Sequence, residues 1–435
     1  MSALQPANVT EVRTMLARRI GTLLVIGTGM EEYRAHGLRQ IAASHRVTVL
    51  GSERSSWAHP LIAAHILSDM ADAELTALAV KEFAAASPIT GVMTYMEKHA
   101  EFAARLAQEM ALPGPSPAAV SACRDKALTR RLLDEASVPS ARAYVASSQE
   151  HAVDIAEFLG YPVVVKPRAL SCSAGVRRAV NADEVHQAFR NASRFDLLGL
   201  TAADPRGVLV EEYIAGPEIS VECVVLGPGR VHVAAVTRKE LSDEPAFEEL
   251  GHLVDANDEL LNDEAVRSVA TDALTAVGIT HGVMHVEMRL SEDRGPRIIE
   301  INARLGGDLI PHLTQLATGV SLPLAAAALA TGAEPDLEPT RQQAAGIRFL
   351  SPATEGRVQE LHSAPPSGSW LERFVWTHKP GDYVSPPPHS TMLDRLAHFV
   401  VTGSDASTCR TRLQLVESRT AVQISPASRI TAYVR

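Results

Sequence analysis

The stretch HVEMRLSEDRGPRIIEINAR, residues 285–304, decides how this chain folds. Residues 291–296 at its centre have the composition of a turn, and apolar residues alternate with polar ones on either side. We predict that Leu290 pairs with Arg297 across this loop, so that the stretch forms an antiparallel hairpin. Apolar residues on both faces of the two strands indicate that the hairpin is buried on both sides.

Two glutamates face each other in the predicted hairpin. The pairing puts Glu287 opposite Glu300, with Cβ atoms about 4.5 to 5.5 Å apart. It also puts His285 opposite Asn302 on the same face. Because burying unpaired carboxylates is costly, two facing acids and an amide oxygen favour a site for Mg²⁺ that carries substrate phosphates. The alternative is a solvated hairpin with ordinary exposed acids.

Composition limits the classes of function. A chain of 435 residues exceeds what one hydrophobic core usually supports, so we expect two to four units. The net charge of −10 repels phosphate backbones and anionic lipids, which argues against nucleic acid and membrane partners. The four cysteines are far apart, no apolar stretch is long enough to cross a bilayer, and no secretory signal is visible. We therefore expect a cytoplasmic protein without a disulfide framework.

The beginning of the chain predicts a doubly wound α/β unit. An apolar strand at residues 22–26 runs into a glycine-rich turn and then a helix at residues 33–43. The same rhythm continues with a strand at 47–50, a helix at 73–86, a strand at 91–95 and a helix at 98–110. Glu32 replaces the third glycine of a G-x-G-x-x-G motif, so we expect this fold without a bound dinucleotide.

Proline-rich and compositional boundaries divide the rest. Three prolines at residues 113–117 interrupt every regular element, and an α+β pattern follows. We predict an α/β domain at residues 1–115, a central domain at 116–335 and an α+β domain at 336–435. Within the central domain we expect a small lid at about 140–210 and a larger part at 211–335.

A second signal lies around Lys166, which ends a predicted strand. The loop that follows, residues 168–174, is rich in small and hydroxyl side chains. Backbone N–H groups of such a loop can cover nucleotide phosphates, and the lysine adds a point charge. The alternative is an ordinary hairpin whose lysine stem lies along the surface.

An ordered series of motifs resembles the ATP-grasp superfamily of carboxylate-amine ligases, most closely the L-amino-acid ligases of the bacilysin-synthetase type. The series is Asp125-Lys126, Val165-Lys166-Pro167, the small-residue loop, Glu211-Glu212-Tyr213-Ile214, Glu218, residues 247–252 and the hairpin. The resemblance implies an ATP-grasp fold, with a Rossmann-like pre-ATP-grasp domain before it. Residues 396–424 resemble the closing domain of biotin carboxylases, which implies a C-terminal α+β domain of that kind.

The resemblance also implies roles for individual residues. Lys126 and Lys166 would hold the ATP phosphates, with Ser171 and Ser173 in the loop above them. Glu211, Glu212, Tyr213 and Ile214 would form the hinge that binds adenine, and Glu218 would accept from the ribose hydroxyls. Glu287, Glu300 and Asn302 would bind two Mg²⁺ ions, with Mn²⁺ as an alternative. Arg304 would neutralise the transferred phosphoryl group, while His252, Glu249 and Glu97 would contact the amino acid substrates.

The activity that the resemblance implies is an ATP-dependent joining of an amino acid, or a related carboxylate, to an amine through an acyl phosphate. ADP and phosphate are released, the partners are small molecules, and a homodimer is compatible with the family. One alternative is a biotin carboxylase-like or purine-pathway ligase. Another is a nucleotide-binding protein that has lost turnover.

Asp308, four residues after Arg304, has two interpretations. In the family this position shapes the pocket of the first substrate, and two preceding glycines would let the backbone turn so that the carboxylate points into the cavity. Alternatively, Asp308 caps the helix that follows, because aspartate is favoured at that position.

Overall fold

The computed structural model describes residues 21–169, 175–193, 196–197, 200–201, 207–244, 247–386 and 391–426. Every structural statement below concerns these residues. Ser171 and Ser173 of the expected phosphate loop lie outside them.

The N-terminal unit is a parallel sheet with the strand order β3-β2-β1-β4 and helices on both faces. Its elements are β1 (Thr22–Ile26), α1 (Glu31–Ser44), β2 (Val47–Gly51), β3 (Ala64–Leu67), α2 (Ala73–Ala86), β4 (Ile89–Met93) and α3 (Ala100–Glu109). Along β1, Leu23 and Val25 pack with α1, whereas Leu24 and Ile26 pack with α2 and α3. This alternation in a fully buried strand explains the doubly wound arrangement that the sequence predicts.

Two helices lead into a smaller antiparallel unit. Ser116 and Asp125 cap the two helices through their side chains, which explains why the chain becomes helical directly after its prolines. The small sheet has the order β5-β10-β6-β7. Its elements and the helices around it are α4 (Pro117–Arg124), α5 (Lys126–Glu135), β5 (Ala143–Ala146), α6 (Gln149–Leu159), β6 (Val163–Pro167), β7 (Arg177–Ala179), α7 (Ala182–Ala192), β8 (Asp196–Leu197), β9 (Leu200–Thr201) and β10 (Val208–Glu212).

The remaining strands form one eight-stranded sheet, in the order β15-β14-β11-β12-β13-β16-β20-β18, and a three-stranded sheet, β19-β17-β21. The elements are β11 (Glu218–Gly227), β12 (Arg230–Leu241), β13 (Glu249–Asp255), α8 (Glu264–Ala276), β14 (Gly282–Ser291), β15 (Gly295–Asn302), α9 (Ile310–Thr318), α10 (Leu322–Ala330), β16 (Ala344–Leu350), β17 (Gly356–Ser363), β18 (Leu371–Trp376), β19 (Tyr383–Val384), β20 (Ala397–Gly403), α11 (Ala406–Glu417) and β21 (Thr420–Pro426). The sheet is continuous across residue 336, because β13 pairs with β16. The domain boundaries stay a prediction.

The hairpin formed by β14 and β15 confirms the predicted facing pairs. Glu287 lies opposite Glu300, and His285 lies opposite Asn302. The predicted pairing at the loop end is wrong by one residue, because the register shifts directly after Glu287 and Leu290 pairs with Pro296. A bulge of this kind leaves one extra residue in one strand, which apolar alternation does not reveal.

No helix in the described part of the chain has, by itself, both the length and the apolar composition of a membrane-spanning helix. Helices α9 and α10 reach this length and composition only when they are taken together, and the chain bends by 106° between them.

Candidate active site

Residues from Lys126 to Arg395 line one cleft beside the β14–β15 hairpin. Of the residues singled out in the sequence, it brings together Lys126, Lys166, Glu211, Glu212, Tyr213, Ile214, Glu218, Glu249, Glu287, Glu300, Asn302, Arg304 and Asp308. His252 and Glu97 lie behind the lining residues and contact them. Met392 and Arg395 also line the cleft, so the last hundred residues contribute to its wall.

Lys126 is held at the start of α5 by backbone and side-chain contacts. Its amide donates to the Arg168 carbonyl at 3.1 Å, and Arg168 forms a bidentate pair with Asp125, with both distances 2.7 Å. Lys126 Nζ lies 3.2 Å from Glu300 Oε1. The loop that begins at Arg168 therefore fixes the position of a lysine next to the facing acids.

Lys166 belongs to a buried group of three charges. Its Nζ lies 2.6 Å from Glu211 Oε2, and Arg130 Nε lies 2.8 Å from Glu211 Oε1. All three residues are buried. Burial lowers the pKa of Lys166, although Glu211 opposes the shift; burial would raise the pKa of Glu211, but Arg130 and Lys166 hold it below its usual range. The Glu211 carboxylate is thus shared by two cations.

Aromatic rings and an arginine form the end of the cleft next to the predicted hinge. Tyr213 and Phe247 stack with ring centroids 6.2 Å apart. The Arg289 guanidinium lies 4.9 Å from the Phe247 ring centroid, and its Nη1 donates to the Ile214 carbonyl at 2.9 Å. Arg289 Nε also lies 3.1 Å from Glu218 Oε2. This part of the cleft offers flat apolar faces beside polar backbone atoms, which suits a planar heterocycle.

Glu287 and Glu300 each have one carboxylate oxygen that is available to a ligand. Lys239 Nζ and His285 Nε2 contact Oε1 of Glu287, at 2.9 and 3.1 Å, and Lys126 contacts Oε1 of Glu300. Within the described chain, Oε2 of either glutamate makes no hydrogen bond. The side-chain NH₂ of Asn302 donates to Glu300 Oε1 and to Glu97 Oε2, both at 3.3 Å, and its amide oxygen is a further possible ligand. Two half-buried carboxylates and an amide are the oxygen donors that Mg²⁺ prefers, so the residues present fit such an ion.

Lys239 is a cation surrounded by three acids. Its side chain is 1% exposed, and its Nζ lies 2.7 Å from Glu249, 2.9 Å from Glu287 and 3.3 Å from Glu218. Burial opposes its charge, but the three carboxylates raise the pKa of Lys239 well above its usual value. One lysine therefore links the residues that the resemblance connects with ribose, metal and substrate.

His285 is enclosed between two glutamates. Its Nδ1 lies 2.7 Å from Glu222 Oε1, on the side away from Glu287. Burial lowers the pKa of an imidazole, but Glu222 and Glu287 together raise the pKa of His285 to about 9. Glu222 itself is fully buried and also accepts from Ser220 at 2.9 Å. The charged imidazole fixes the orientation of Glu287.

Arg304 and Glu97 form a pair between the N-terminal unit and the hairpin. Arg304 Nε donates to Glu97 Oε2 at 2.6 Å, and Arg124 Nε lies 3.7 Å from Glu97 Oε1. Glu97 thus lies against the arginine of the cleft, and its expected contact with an amino acid substrate stays a prediction.

Asp308 does not cap α9, so that alternative is wrong. The N-cap is Leu309, and no side chain caps the helix. The Asp308 carboxylate instead lies 2.9 Å from Arg395 Nη1 and 3.4 Å from His252 Nε2. Burial raises the pKa of Asp308, but Arg395 and His252 hold it well below its usual range.

The turn before α9 is also different from the expected one. Asp308 and Leu309 have left-handed backbones, with φ of 47° and 62°, whereas the preceding glycines do not. Such conformations are costly for residues with a side chain and occur where surrounding contacts impose them. Gly306 serves close packing instead, because a Cβ there would lie 3.1 Å from Glu222 Oε2.

Five charged residues of the site were not singled out in the sequence: Arg130, Glu222, Lys239, Arg289 and Arg395. The alternation of side chains along a strand could have indicated two of these residues. Glu222 shares a strand face with Glu218, and Arg289 shares one with Glu287. Arg395 reaches Asp308 over 87 positions, and no local pattern reports such a contact.

Comparisons with known proteins agree with this geometry. Residues 159–312 match the family model of the ATP-grasp domain, and residues 34–114 match that of the ATP-grasp N-terminal domain. The chain therefore belongs to the ATP-grasp superfamily, with an ATP-grasp domain and an ATP-grasp N-terminal domain before it. Enzymes of this superfamily generally use ATP and Mg²⁺.

Two curated relatives show how far the similarity extends. The uncharacterized protein y4rH of Sinorhizobium fredii is 28% identical over 355 residues, which are 78% of this chain and 69% of that protein. Human carnosine synthase 1 is 29% identical over 371 residues, 77% of this chain. The chain spans only 43% of the length of carnosine synthase 1.

Solved structures share the fold over 93% of this chain. An L-amino acid ligase from Bacillus licheniformis superimposes with a TM-score of 0.77 at 22% identity, covering 93% of this chain and 99% of that one. Biotin carboxylase from Campylobacter jejuni has a TM-score of 0.67 at 18% identity and covers 93% of this chain and 92% of that one. These likenesses confirm the fold class, an ATP-grasp core with an α/β unit before it and a biotin carboxylase-like region after it.

Proposed function

We propose that this protein is an ATP-dependent ligase that joins an amino acid, or a related carboxylate, to an amine through an acyl phosphate. One observation carries the proposal: the facing pair Glu287 and Glu300 shares a cleft with Lys126, Lys166 and Arg304. Phosphoryl transfer demands cations and alignment more than a nucleophile of the protein, and this cleft supplies both.

The residues of the cleft divide into three regions. The ring of Tyr213 and the backbone near Ile214 suit adenine, Glu218 suits the ribose, and Lys126 with Lys166 suits the phosphates. Glu287, Glu300 and Asn302 would hold Mg²⁺, two ions in our proposal, which neutralise phosphate charge when bound. Arg304, Glu249, His252 and Asp308 extend from there to the substrate end. Similarity to an L-amino acid ligase fold and to carnosine synthase 1 supports amino acids as substrates.

The proposed reaction has two balanced steps. A carboxylate oxygen of the first substrate takes the γ-phosphoryl group of ATP, and ADP leaves. The free amine of the second substrate then attacks the acyl carbon, phosphate leaves with the electron pair of the C–O bond, and the amine proton passes to solvent. Arg304, a permanently charged planar group, is suited to stabilise the charge of the phosphoryl group in both steps.

An ADP-release screen of carboxylic acids and amines, singly and in pairs, tests this proposal. We expect ADP release that depends on a carboxylate, and we expect hydroxylamine to divert the activated acid into a hydroxamate. Formation of AMP and pyrophosphate would mean adenylation and would contradict the acyl phosphate. ADP release with bicarbonate alone would favour a biotin carboxylase-like reaction, and no release with any substrate would indicate a protein without turnover.

A further inference from the structure

An open groove lined by arginines lies beside the active cleft. It has a volume of about 560 Å³ and lies between the end of α5, residues 137–142, β5 and the start of β15. Its charged lining residues are Arg130, Arg131, Asp134, Arg142 and Arg297. Four positive charges and one negative charge thus line this arginine groove, in a chain whose net charge is −10. Because a groove with one dominant sign of charge concentrates counter-ions, this one attracts anions.

Arg297 brings a charge that the protein does not neutralise. In the described part of the chain it forms no ion pair, and its Nη1 donates to the Ser140 carbonyl at 3.2 Å. Its Nε is buried and has no hydrogen-bond partner among the described residues. Because a buried donor without a partner is costly, an acceptor from outside the chain would stabilise Arg297. An anion in the groove supplies such an acceptor.

The carboxylates beside the groove do not balance its arginines. Arg142 Nε lies 3.1 Å from Glu212 Oε2, and Arg294 Nη1 lies 3.2 Å from the same oxygen, so two guanidinium groups share one acid. Arg131 Nε lies 3.7 Å from Glu135 Oε1, and both of these side chains are exposed. Since water screens an exposed pair of this kind, Glu135 neutralises Arg131 only weakly. The groove therefore retains an excess of positive charge.

Aromatic rings lie at one edge of the groove. Tyr144 lines it, and the Tyr144 ring packs edge to face against that of Phe158, with centroids 5.6 Å apart. Both rings are exposed. Exposed aromatic side chains next to cationic groups offer an apolar surface to an organic group that is attached to the anion. The lining therefore suits an organic anion better than a bare inorganic ion.

We infer that the arginine groove is a binding site for a small molecule that carries a phosphate group on a planar organic part. Arg297 and Arg131 bind the phosphate, because the planar guanidinium group matches phosphate oxygens with parallel hydrogen bonds. Tyr144 contacts the organic part. The molecule bound in this groove is additional to the nucleotide and the substrates of the active cleft.

Two ion pairs connect the groove with the cleft. Arg130 shares Glu211 with Lys166. Arg142 contacts Glu212, and both glutamates line the cleft. An anion in the groove competes with the glutamates for the two arginines, which leaves Glu211 to hold Lys166 more firmly. Because Lys166 is the lysine that suits the ATP phosphates, the bound molecule should weaken ATP binding. This consequence rests on the proposed function.

Fluorine NMR of protein labelled with 3-fluorotyrosine reports the two spaces separately. Tyr144 lines the groove and Tyr213 lines the cleft. The variants Tyr144→Phe and Tyr213→Phe assign their signals. Phenyl phosphate and phenol form a matched pair of probes, because they differ only in the phosphate group. We expect phenyl phosphate to shift the Tyr144 signal and phenol to require about tenfold higher concentration.

Two arginine variants test which charges hold the phosphate. Arg297→Met should weaken phenyl phosphate binding about tenfold, and Arg131→Met should weaken it about threefold, because Arg131 is the more exposed of the two. The surface position of Arg131 keeps the test valid if Arg297→Met disturbs the fold. Arg190→Met is the matched control, since Arg190 is an exposed arginine of the smaller unit that does not line the groove. It should bind phenyl phosphate like the wild type.

ATP titrations read from the Tyr213 signal test the link to the cleft. A fixed concentration of phenyl phosphate should lower ATP affinity about threefold in the wild type and less in Arg131→Met. An equal decrease in both proteins would show direct competition in the cleft and would overturn the link.

Three results overturn the binding site: a shift of Tyr213 without one of Tyr144, equal affinities for phenol and phenyl phosphate, or wild-type affinity in both arginine variants. Failure of the proposed function has a different signature. In that case ATP does not shift Tyr213, or no substrate pair releases ADP, while the Tyr144 titration still reports whether the groove binds phenyl phosphate.

Discussion

Arg395 Nη1 lies 2.9 Å from Asp308 Oδ1, and both residues are buried at the wall of the active cleft. The pair joins a residue that follows the β14–β15 hairpin to one from the last part of the chain. A buried guanidinium that loses such a partner retains a largely uncompensated charge, because the next carboxylate, that of Glu249, lies 4.0 Å from Arg395 Nη2. The shape of the substrate end thus depends on a contact between distant segments.

Asp308→Ala should change the amino acid preference and also cost about 3 kcal/mol of unfolding free energy, because Arg395 loses its shorter carboxylate contact. A substrate panel and urea unfolding measure the two effects. The double variant Asp308→Ala/Arg395→Met should recover most of the stability. An unchanged substrate profile would rule out Asp308 as a specificity residue.

Glu300→Gln should lower the rate of ADP formation at least about 100-fold, because a metal-binding charge is lost without loss of volume. The folded state should persist, as judged by its circular dichroism. Glu292→Gln, an exposed acid in the turn of the same hairpin, is the control and should retain full activity. Near wild-type turnover of Glu300→Gln at saturating Mg²⁺ would remove Glu300 from the site.

Lys239→Met should destabilise the fold by about 3 to 5 kcal/mol, because three buried or half-buried carboxylates lose their shared cation. Lys81→Met is a control with the same short contact, since Lys81 Nζ lies 2.7 Å from Glu109, but its side chain is 52% exposed. That change should cost less than about 1 kcal/mol. Equal losses in denaturant unfolding would show that burial does not strengthen the Lys239 contacts.

His312 should make the fold sensitive to acid. Its ring is tilted against that of His36, with centroids 3.8 Å apart, and burial, then His36 and Arg373, lowers the pKa of His312 to about 3. The unfolded state, with a pKa near 6.5, binds the proton first, so stability falls as the pH drops below that value. This group should cost about 2 kcal/mol between pH 7.5 and pH 5.

His312→Asn removes this titration. Unfolding free energies measured across the same pH interval should therefore fall less steeply in the variant than in the wild type. Parallel curves would show that His312 does not couple stability to pH. The test compares how steeply the unfolding free energy changes with pH. A loss of stability that is the same at every pH, caused by the smaller asparagine side chain, therefore does not affect the result.

Local patterns in the sequence were sufficient for the facing pairs of the hairpin, whereas most other lining residues came from the family resemblance. Alternation along two strands fixed which residues face the cleft, because side chains on a strand have a period of two. The same pattern is insensitive to a bulge, which is why the pairing of Leu290 was wrong while that of Glu287 was correct. Helix propensity likewise could not show that Asp308 adopts a left-handed backbone and turns away from α9.

Long-range contacts account for what the sequence could not reveal. Lys239 becomes important only because three different strands bring Glu218, Glu249 and Glu287 to it. Arg395 acquires its position through pairing of β16 with β20, far from the motifs that identify the family. Such residues look like ordinary surface charges until the sheet order is known.

The eight-stranded sheet has a consequence for dividing this chain into fragments. A cut between residues 336 and 344 would leave β13 with unpaired N–H and C=O groups along one side, and would remove Arg395 from the cleft wall. Open strand edges pair readily with other chains. A shortened protein that retains every family motif should therefore aggregate, and recombinant work on this chain needs the final strands as much as the family motifs.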